Sequence, residues 1–242
     1  MNKRILIIGG VAGGASVAAR ARRLDAGAEI IMFERGQHVS FSNCALPYYL
    51  SGVVGNSDAL VMMSPEKFKK SYDIDARVNS EVMAINRDKK TIEIKNTLTG
   101  DIHEEAYDVL VMAPGASPVK PRSIGGIDGK NVYTVRNVAD IVHLRMDWRP
   151  QERRTQRLSA VALSELRWLK PCKGGKKVTV VEAMSQILAP FDYDMVQMLH
   201  KELLDNGVSL IVDDGVKPLK RSRLPLLPAR RCQRMRLFWL LV

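Results

Sequence analysis

One residue in this 242-residue chain stands where a thiol could do chemistry. Cys44 lies in Ser40-Phe41-Ser42-Asn43-Cys44-Ala45-Leu46-Pro47-Tyr48-Tyr49-Leu50-Ser51-Gly52, at the start of a short amphipathic stretch that Gly52 closes. If Cys44 opens a helix, the unpaired N–H groups and the helix dipole favour its thiolate, the nucleophilic form of sulfur. No second cysteine lies nearby, since the other two are Cys172 and Cys232. A local Cys-x-x-Cys disulfide is therefore excluded, and a redox role would run through a sulfenic acid or a mixed disulfide with a small thiol. An inert packing cysteine is the other reading of the same spacing, because free cysteine is commonly a small buried hydrophobe.

A second group of residues has the spacing of a phosphate cradle. Lys3-Arg4-Ile5-Leu6-Ile7-Ile8 is a continuous apolar run bounded by glycine, as a buried parallel strand is. Gly9-Gly10-Val11-Ala12-Gly13-Gly14 follows, then helix formers from Ala15 to Leu24, then a second apolar run, Ala28 to Phe33, closed by Glu34. Strand, glycine turn, helix, strand and acid form the dinucleotide fingerprint in its required context. Gly9 permits the turn, Gly14 lets helix and sheet approach, and the helix N-terminus accepts a pyrophosphate. Glu34, twenty residues past Gly14, can accept hydrogen bonds from a ribose hydroxyl. Val11 replaces the pattern's middle glycine, and an ordinary strand–helix turn is the bland alternative.

Three blocks together resemble one family: Ile7 to Ser16, Ser40 to Tyr48 with its S-F-S-N-C-A-L-P-Y pattern, and Tyr107-Asp108-Val109-Leu110-Val111-Met112-Ala113-Pro114-Gly115-Ala116-Ser117-Pro118. The chain is similar to the single-cysteine branch of the flavoprotein disulfide reductases (pyridine nucleotide-disulfide oxidoreductases). Within that branch it is most like the coenzyme A disulfide reductases, with NADH oxidases, NADH peroxidases and polysulfide reductases as relatives. The resemblance runs unbroken from residue 1 to about 143. It implies an FAD-dependent oxidoreductase that takes electrons from NADH or NADPH and passes them to coenzyme A disulfide. It implies flavin contacts at Gly9, Gly10, Gly14, Glu34 and Arg35, a redox thiol at Cys44 assisted by Asn43, and coenzyme A contacts at Ser16, Arg20, Arg23, Ser40 and Asn43. Arg20 and Arg23 lie three apart on one helix face, suited to pairing with phosphates. Tyr48 and Tyr49 read as packing or rim residues.

These elements imply an α/β fold: a Rossmann-like FAD-binding domain over residues 1–143, then a partial second Rossmann-like domain for NAD(P) over 144–216. Between the blocks, Pro65 to Tyr72 reads as a helix, and Ser80 to Arg87 with Lys90 to Asn96 as alternating hairpin strands. His103 reads as an exposed residue of a charged loop. Lys177 to Ala183 resembles the strand and acid of the second nucleotide unit, with Glu182 at the nicotinamide ribose position. Asp192 to Asn206 reads as an amphipathic helix ended by Gly207, and Val208 to Val212 as a strand.

Two segments break the pattern. Residues 144–175 carry net +5 and residues 217–242 net +8, against +11 for the whole chain, so the rest carries −2. All three tryptophans and two of the three cysteines lie in these segments. The glycine turn of the second nucleotide unit is missing from 144–175, where Ser159 to Leu169 reads as helix-capable, and 217–242 is a basic tail without periodicity. The abrupt loss and return of resemblance is what a shifted reading frame would produce. The charge invites a nucleic-acid or anionic-membrane reading, but no binding motif frames it. No apolar run approaches the about 18 residues of a bilayer span, no secretory signal opens the chain, and three cysteines cannot form a disulfide scaffold. The expectation is a cytoplasmic protein without a metal site. Family members are homodimers, and the segment that mates them is expected to be missing here. A non-catalytic fragment, and an oxidase or peroxidase of the same family, are the alternative readings.

Overall fold

The computed structural model describes residues 3–120, 122, 127–129, 132–147, 156–159, 178–214 and 236–239. The chain divides into two compact units, Met1–Ser42 with Ser57–Ala116, and Asn43–Asn56 with Ser117–Val242.

In the first unit Arg4–Ile8, apolar from Ile5 on, forms β1, α1 spans Ala12–Leu24 and β2 spans Glu29–Phe33. Helix α3 (Pro65–Tyr72; α2, Leu46–Leu50, belongs to the second unit) leads into β3, Ile74–Arg77. The Ser64 hydroxyl accepts the Lys67 N–H at the start of α3, and Pro65 fits the first turn because it lacks an N–H. Strands β4 (Ser80–Asn86), β5 (Thr91–Asn96) and β6 (Ile102–Ala106) form an antiparallel sheet in that order. Strand β7, Val109–Met112, then returns to pair with β1. The parallel sheet has the order β3-β2-β1-β7. Its strands alternate between two cores. Ile7, Ile30, Met32 and Ile74 pack with Ala18 of α1 and Phe68 of α3. Leu6, Ile31 and Phe33 face the other way onto Ile92 and Ile94 of the antiparallel layer. A sheet covered on both faces needs runs that are apolar at every position, as Ile5–Ile8 and Ile30–Phe33 are. His103 is exposed as expected, but it sits on β6 and not in a loop. The β5 ladder recruits Ile102–Ala106 despite their weak alternation.

The chain order reverses at β1, with β2 and β3 on one side and β7 on the other. In open α/β sheets such a switch point, at the carboxyl ends of the strands, is where ligands bind. The glycine turn stands there.

The second unit holds α2 (Leu46–Leu50), β8 (Val132–Tyr133), α4 (Val138–Asp147), β9 (Gln156–Ser159), β10 (Val178–Val181), α5 (Tyr193–Asp205), β11 (Ser209–Ile211) and β12 (Arg236–Trp239). Its strands are all parallel, in the order β11-β10-β9-β12-β8. Helix α5 and β11 match the sequence reading, with Asp192 and Asn206 flanking the helix and Gly207 at φ +75°. Strand β12 differs from it: the tail contains a strand, Arg236–Trp239, in which Phe238 and Trp239 are residue types that favour extended backbone. Helix α4 runs across position 143/144. The helix expected over Ser159 to Leu169 and the missing glycine turn lie outside the described residues. None of the described helices is long and apolar enough to cross a membrane.

His200 of α5 gives this unit a pH dependence. Its Nε2 accepts the Ile187 N–H at 3.4 Å, and burial lowers its pKa from the ordinary 6.5. The unfolded chain therefore takes up this proton more readily than the folded one. The contribution is complete above about pH 6.5 and is lost as pH falls through the lowered value. His200→Gln should flatten the acid side of a melting-temperature profile between about pH 7 and 5. An unchanged slope would remove His200 from the account.

Candidate functional site

The glycine turn is set by contacts that a single carbon would break. Gly9 leaves β1 at φ +96°, and a Cβ there would sit 2.0 Å from the Ala113 carbonyl oxygen at the end of β7. A Cβ on Gly14 would lie 1.8 Å from the Gly9 carbonyl oxygen. A Cβ on Gly10 would meet Val39 Cγ1 at 2.6 Å and Glu34 Cβ at 3.0 Å. Gly13 differs: its nearest neighbour would be the Ala113 Cβ at 3.3 Å. Helix α1 starts at Ala12, behind Val11, with no side chain capping it and no acid in its first turn. The N-terminal N–H groups and the positive end of a 13-residue helix are therefore left for an anion. These glycines and the uncapped helix start fit a dinucleotide pyrophosphate.

Glu34 stands beside this turn, held at both carboxylate oxygens. Oε2 accepts the Gly10 N–H and Oε1 the Gly36 N–H, each at 2.9 Å. An ionised carboxylate has about four lone-pair sites, so two bonds leave capacity for ribose hydroxyls. Ser40 is tied to the same turn: its N–H donates to the Gly10 carbonyl at 2.8 Å, and its backbone is left-handed at φ +47°. The structure thus brings Gly9, Gly10, Gly14, Glu34 and Ser40 together. Arg35 is exposed next to Glu34. Ser16, Arg20 and Arg23 are exposed on α1, at the i, i+4, i+7 spacing of one helix face. Val39, fully buried against Gly10, was not marked in the sequence reading, which had no signal for it.

Asn43 and Cys44 belong to the second unit. Cys44 is a free, exposed thiol. It stands at the start of a short helical segment, but that segment opens as 3₁₀ and not as α. Asn43–Ala45 form a 3₁₀ turn and α2 begins at Leu46, where Pro47 suits the first turn. With five residues, α2 offers little macrodipole, so exposure and neighbours must govern this thiol. The Asn43 Oδ1 is buried without a hydrogen-bond partner among the described residues. A buried acceptor left unpaired costs about 1–3 kcal/mol, and such an atom is what a bound ligand satisfies. Tyr49 and Leu46 are buried, in keeping with a packing role. Arg145 of α4 lies 4.1 Å over the Tyr49 ring, with its Nη1 3.4 Å and 3.3 Å from the Val54 and Gly55 carbonyls. In the sequence it was one positive charge of a basic segment. Pairing across 96 positions leaves no local trace.

Glu182 ends β10 much as Glu34 ends β2. Its Oε1 accepts the N–H two residues on, from Met184 at 3.0 Å, and its own N–H donates to Ile211 at 2.8 Å.

A glycine turn at the switch point of a parallel sheet, with an acid on the next strand, defines a nucleotide-binding α/β protein. The family model described as pyridine nucleotide-disulphide oxidoreductase matches residues 3–224, and the chain belongs to that family. It is 31% identical over 219 residues to a coenzyme A disulfide reductase of Staphylococcus haemolyticus, covering 90% of this chain and 49% of the relative. Among solved structures it is similar to the reduced CoADR-RHD of Bacillus anthracis, with a TM-score of 0.90 and 38% identity over 100% of this chain and 44% of that one. It is also similar to the water-forming NADH oxidase of Lactobacillus brevis bound to NADH, with a TM-score of 0.82 and 27% identity over 91% and 49%. The chain spans about half the length of the curated relatives it matches. The α/β nucleotide-binding fold and oxidoreductase class agree with the sequence reading, and FAD and NAD(P)H are the cofactors of this family.

Gly14 and Gly13 make a matched test. Gly14→Ala forces a Cβ into backbone and should cost about 3 kcal/mol, read as a lower urea midpoint. Gly13→Ala should change stability by under about 1 kcal/mol, because alanine is the better helix former. Equal losses for the two would contradict the close approach at Gly14.

Proposed function

We propose that this chain is the flavin- and thiol-bearing part of a NAD(P)H-dependent coenzyme A disulfide reductase. The observation that carries the reading is the exposed Cys44, a free thiol among the described residues, inside S-F-S-N-C-A-L-P-Y and beside an Asn43 whose buried oxygen has no partner among the described residues. In this reading residues 1–143 serve FAD, 144–216 are an incomplete nicotinamide part and 217–242 are an aberrant basic tail. The backbone of Gly9, Gly10 and Gly14 would hold the FAD pyrophosphate, Glu34 the adenosine ribose, and Arg35 would lie alongside. Ser16, Arg20, Arg23, Ser40 and Asn43 would bind coenzyme A, with the two guanidiniums paired to its phosphates. The setting is cytoplasmic, where small thiols are kept reduced.

The Cys44 thiolate attacks one sulfur of coenzyme A disulfide. The S–S bond breaks, one coenzyme A thiolate leaves and takes a proton from solvent, and a Cys44–coenzyme A mixed disulfide forms. FAD, when bound, supplies the electron pair that splits this bond, drawn from NADH or NADPH. The second coenzyme A leaves as a thiolate that takes a proton from solvent, and the Cys44 thiolate returns. Asn43 is placed in sequence to hydrogen-bond a developing thiolate. Within 144–216, Glu182 is the one candidate nicotinamide contact among the described residues, which favours a second reading, a chain that binds nucleotide and thiol without turnover.

Incubating the chain with coenzyme A disulfide should leave one coenzyme A adduct on the Cys44 peptide, released by dithiothreitol and absent in Cys44→Ser. Arg20→Ala with Arg23→Ala should slow its formation on the order of tenfold, by removing two cations that attract a polyanion. An adduct of equal yield in Cys44→Ser would overturn the reading. Consumption of oxygen or peroxide, with no adduct, would favour the oxidase relatives.

A further inference from the structure

We propose that Arg77 and Glu105 are positioning residues of the nucleotide site, holding the Glu34 carboxylate where it selects for ribose hydroxyls. The proposal rests on the reading that Glu34 receives that ribose. The peptide around Glu34 is not self-supporting. Its N–H donates to the Arg77 carbonyl and its own carbonyl accepts the Ser80 N–H, both at 2.9 Å. The Asn79 N–H donates to the Gly36 carbonyl at 2.9 Å. The segment from Arg77 to Ser80 is thus the bed on which Glu34 and Gly36 lie, and Asn79 turns within it at φ +52°.

That bed is anchored through the Arg77 side chain. Arg77 Nε donates to Asp75 Oδ2 at 2.7 Å, and its Nη1 to Glu105 Oε1. Its guanidinium carbon lies 5.5 Å from the centre of the Phe33 ring, the residue that leads into Glu34. Burial disfavours the Arg77 charge, and the bonds to Asp75 and Glu105 more than compensate, so its pKa is raised. The Glu105 side chain is only 12% exposed and receives a second guanidinium, Arg4 Nη2 at 2.5 Å, with His103 Nε2 at 3.7 Å. One carboxylate on β6 therefore ties the start of β1 and the end of β3 to the antiparallel layer. Charge-assisted bonds of this kind, from one planar guanidinium to two carboxylates, fix geometry more tightly than single neutral ones. If Glu105 loses its charge, Arg77 keeps a single carboxylate, Asp75, two residues away on its own strand. The end of β3 loosens, and with it the hydrogen bonds that aim Glu34 between the Gly10 and Gly36 N–H groups.

The readout is discrimination, not affinity alone. The purified chain is titrated with ADP and with 2′,3′-dideoxy-ADP. The unaltered chain should prefer ADP on the order of tenfold, the worth of a charge-assisted bond to a hydroxyl. Glu34→Gln should bring the ratio close to one, and Glu105→Gln should cut it to about threefold. Arg77→Lys keeps the charge but not the fork, and gives the same shift should Glu105→Gln fold poorly. Ile94→Val, a core change in the antiparallel layer, should lower the melting temperature and leave the ratio alone. A merely structural role would weaken both ligands equally. Full discrimination in folded Glu105→Gln or Arg77→Lys, with Glu34→Gln still collapsing it, overturns the proposal and spares the reading of Glu34. No discrimination in the unaltered chain overturns both.

Discussion

The approach of Gly14 to the Gly9 carbonyl is the constraint on which the first unit depends. Helix α1 can pass so close to the end of β1 only because no side chain stands between them, and a single Cβ would come to 1.8 Å from that oxygen. This crossing leaves the uncapped first turn of α1 next to the carboxyl end of β1, at the place where strand order reverses. Positive partial charge, exposed N–H groups and a switch point coincide because two glycines lack side chains. Gly10 adds the third condition by letting Glu34 and Val39 close in on the turn.

The rest of the unit keeps that turn in place. The sheet is covered on both faces, by Ala18 and Phe68 on one side and by Ile92 and Ile94 on the other. Burial of Ile92 and Ile94 is worth about 1.5–3 kcal/mol each, and that part depends on the antiparallel layer staying in place. Glu105 prevents sliding by holding Arg4 and Arg77 at once. The polar clasp and the apolar interface do different work, since one sets register and the other supplies most of the free energy.

What was legible in the sequence was what is local. Gly9, Gly14 and Glu34 announce themselves by spacing within one strand–helix–strand unit. Pro65 to Tyr72 shows its start in Ser64-Pro65, and β4 with β5 show theirs in period-two alternation. What stayed hidden depends on distant pairing. Arg77 and Glu105 are 28 positions apart, and Arg145 meets Tyr49 across 96. The five-residue length of α2 also escaped the pattern, because an amphipathic stretch ending in glycine does not reveal that its first three residues take a 3₁₀ turn. His103 was misplaced because Ile102–Ala106 is a strand only by virtue of its partner β5. The role of Cys44 rested on resemblance, since an exposed lone thiol has no periodic signature.

The central claim is that the glycine turn with Glu34 holds the ADP half of FAD. Titrating FAD into the purified chain while following flavin fluorescence, then adding ADP in excess, addresses it directly. The account predicts saturable FAD binding that ADP displaces. A chain that takes up neither ligand while melting cooperatively would contradict it.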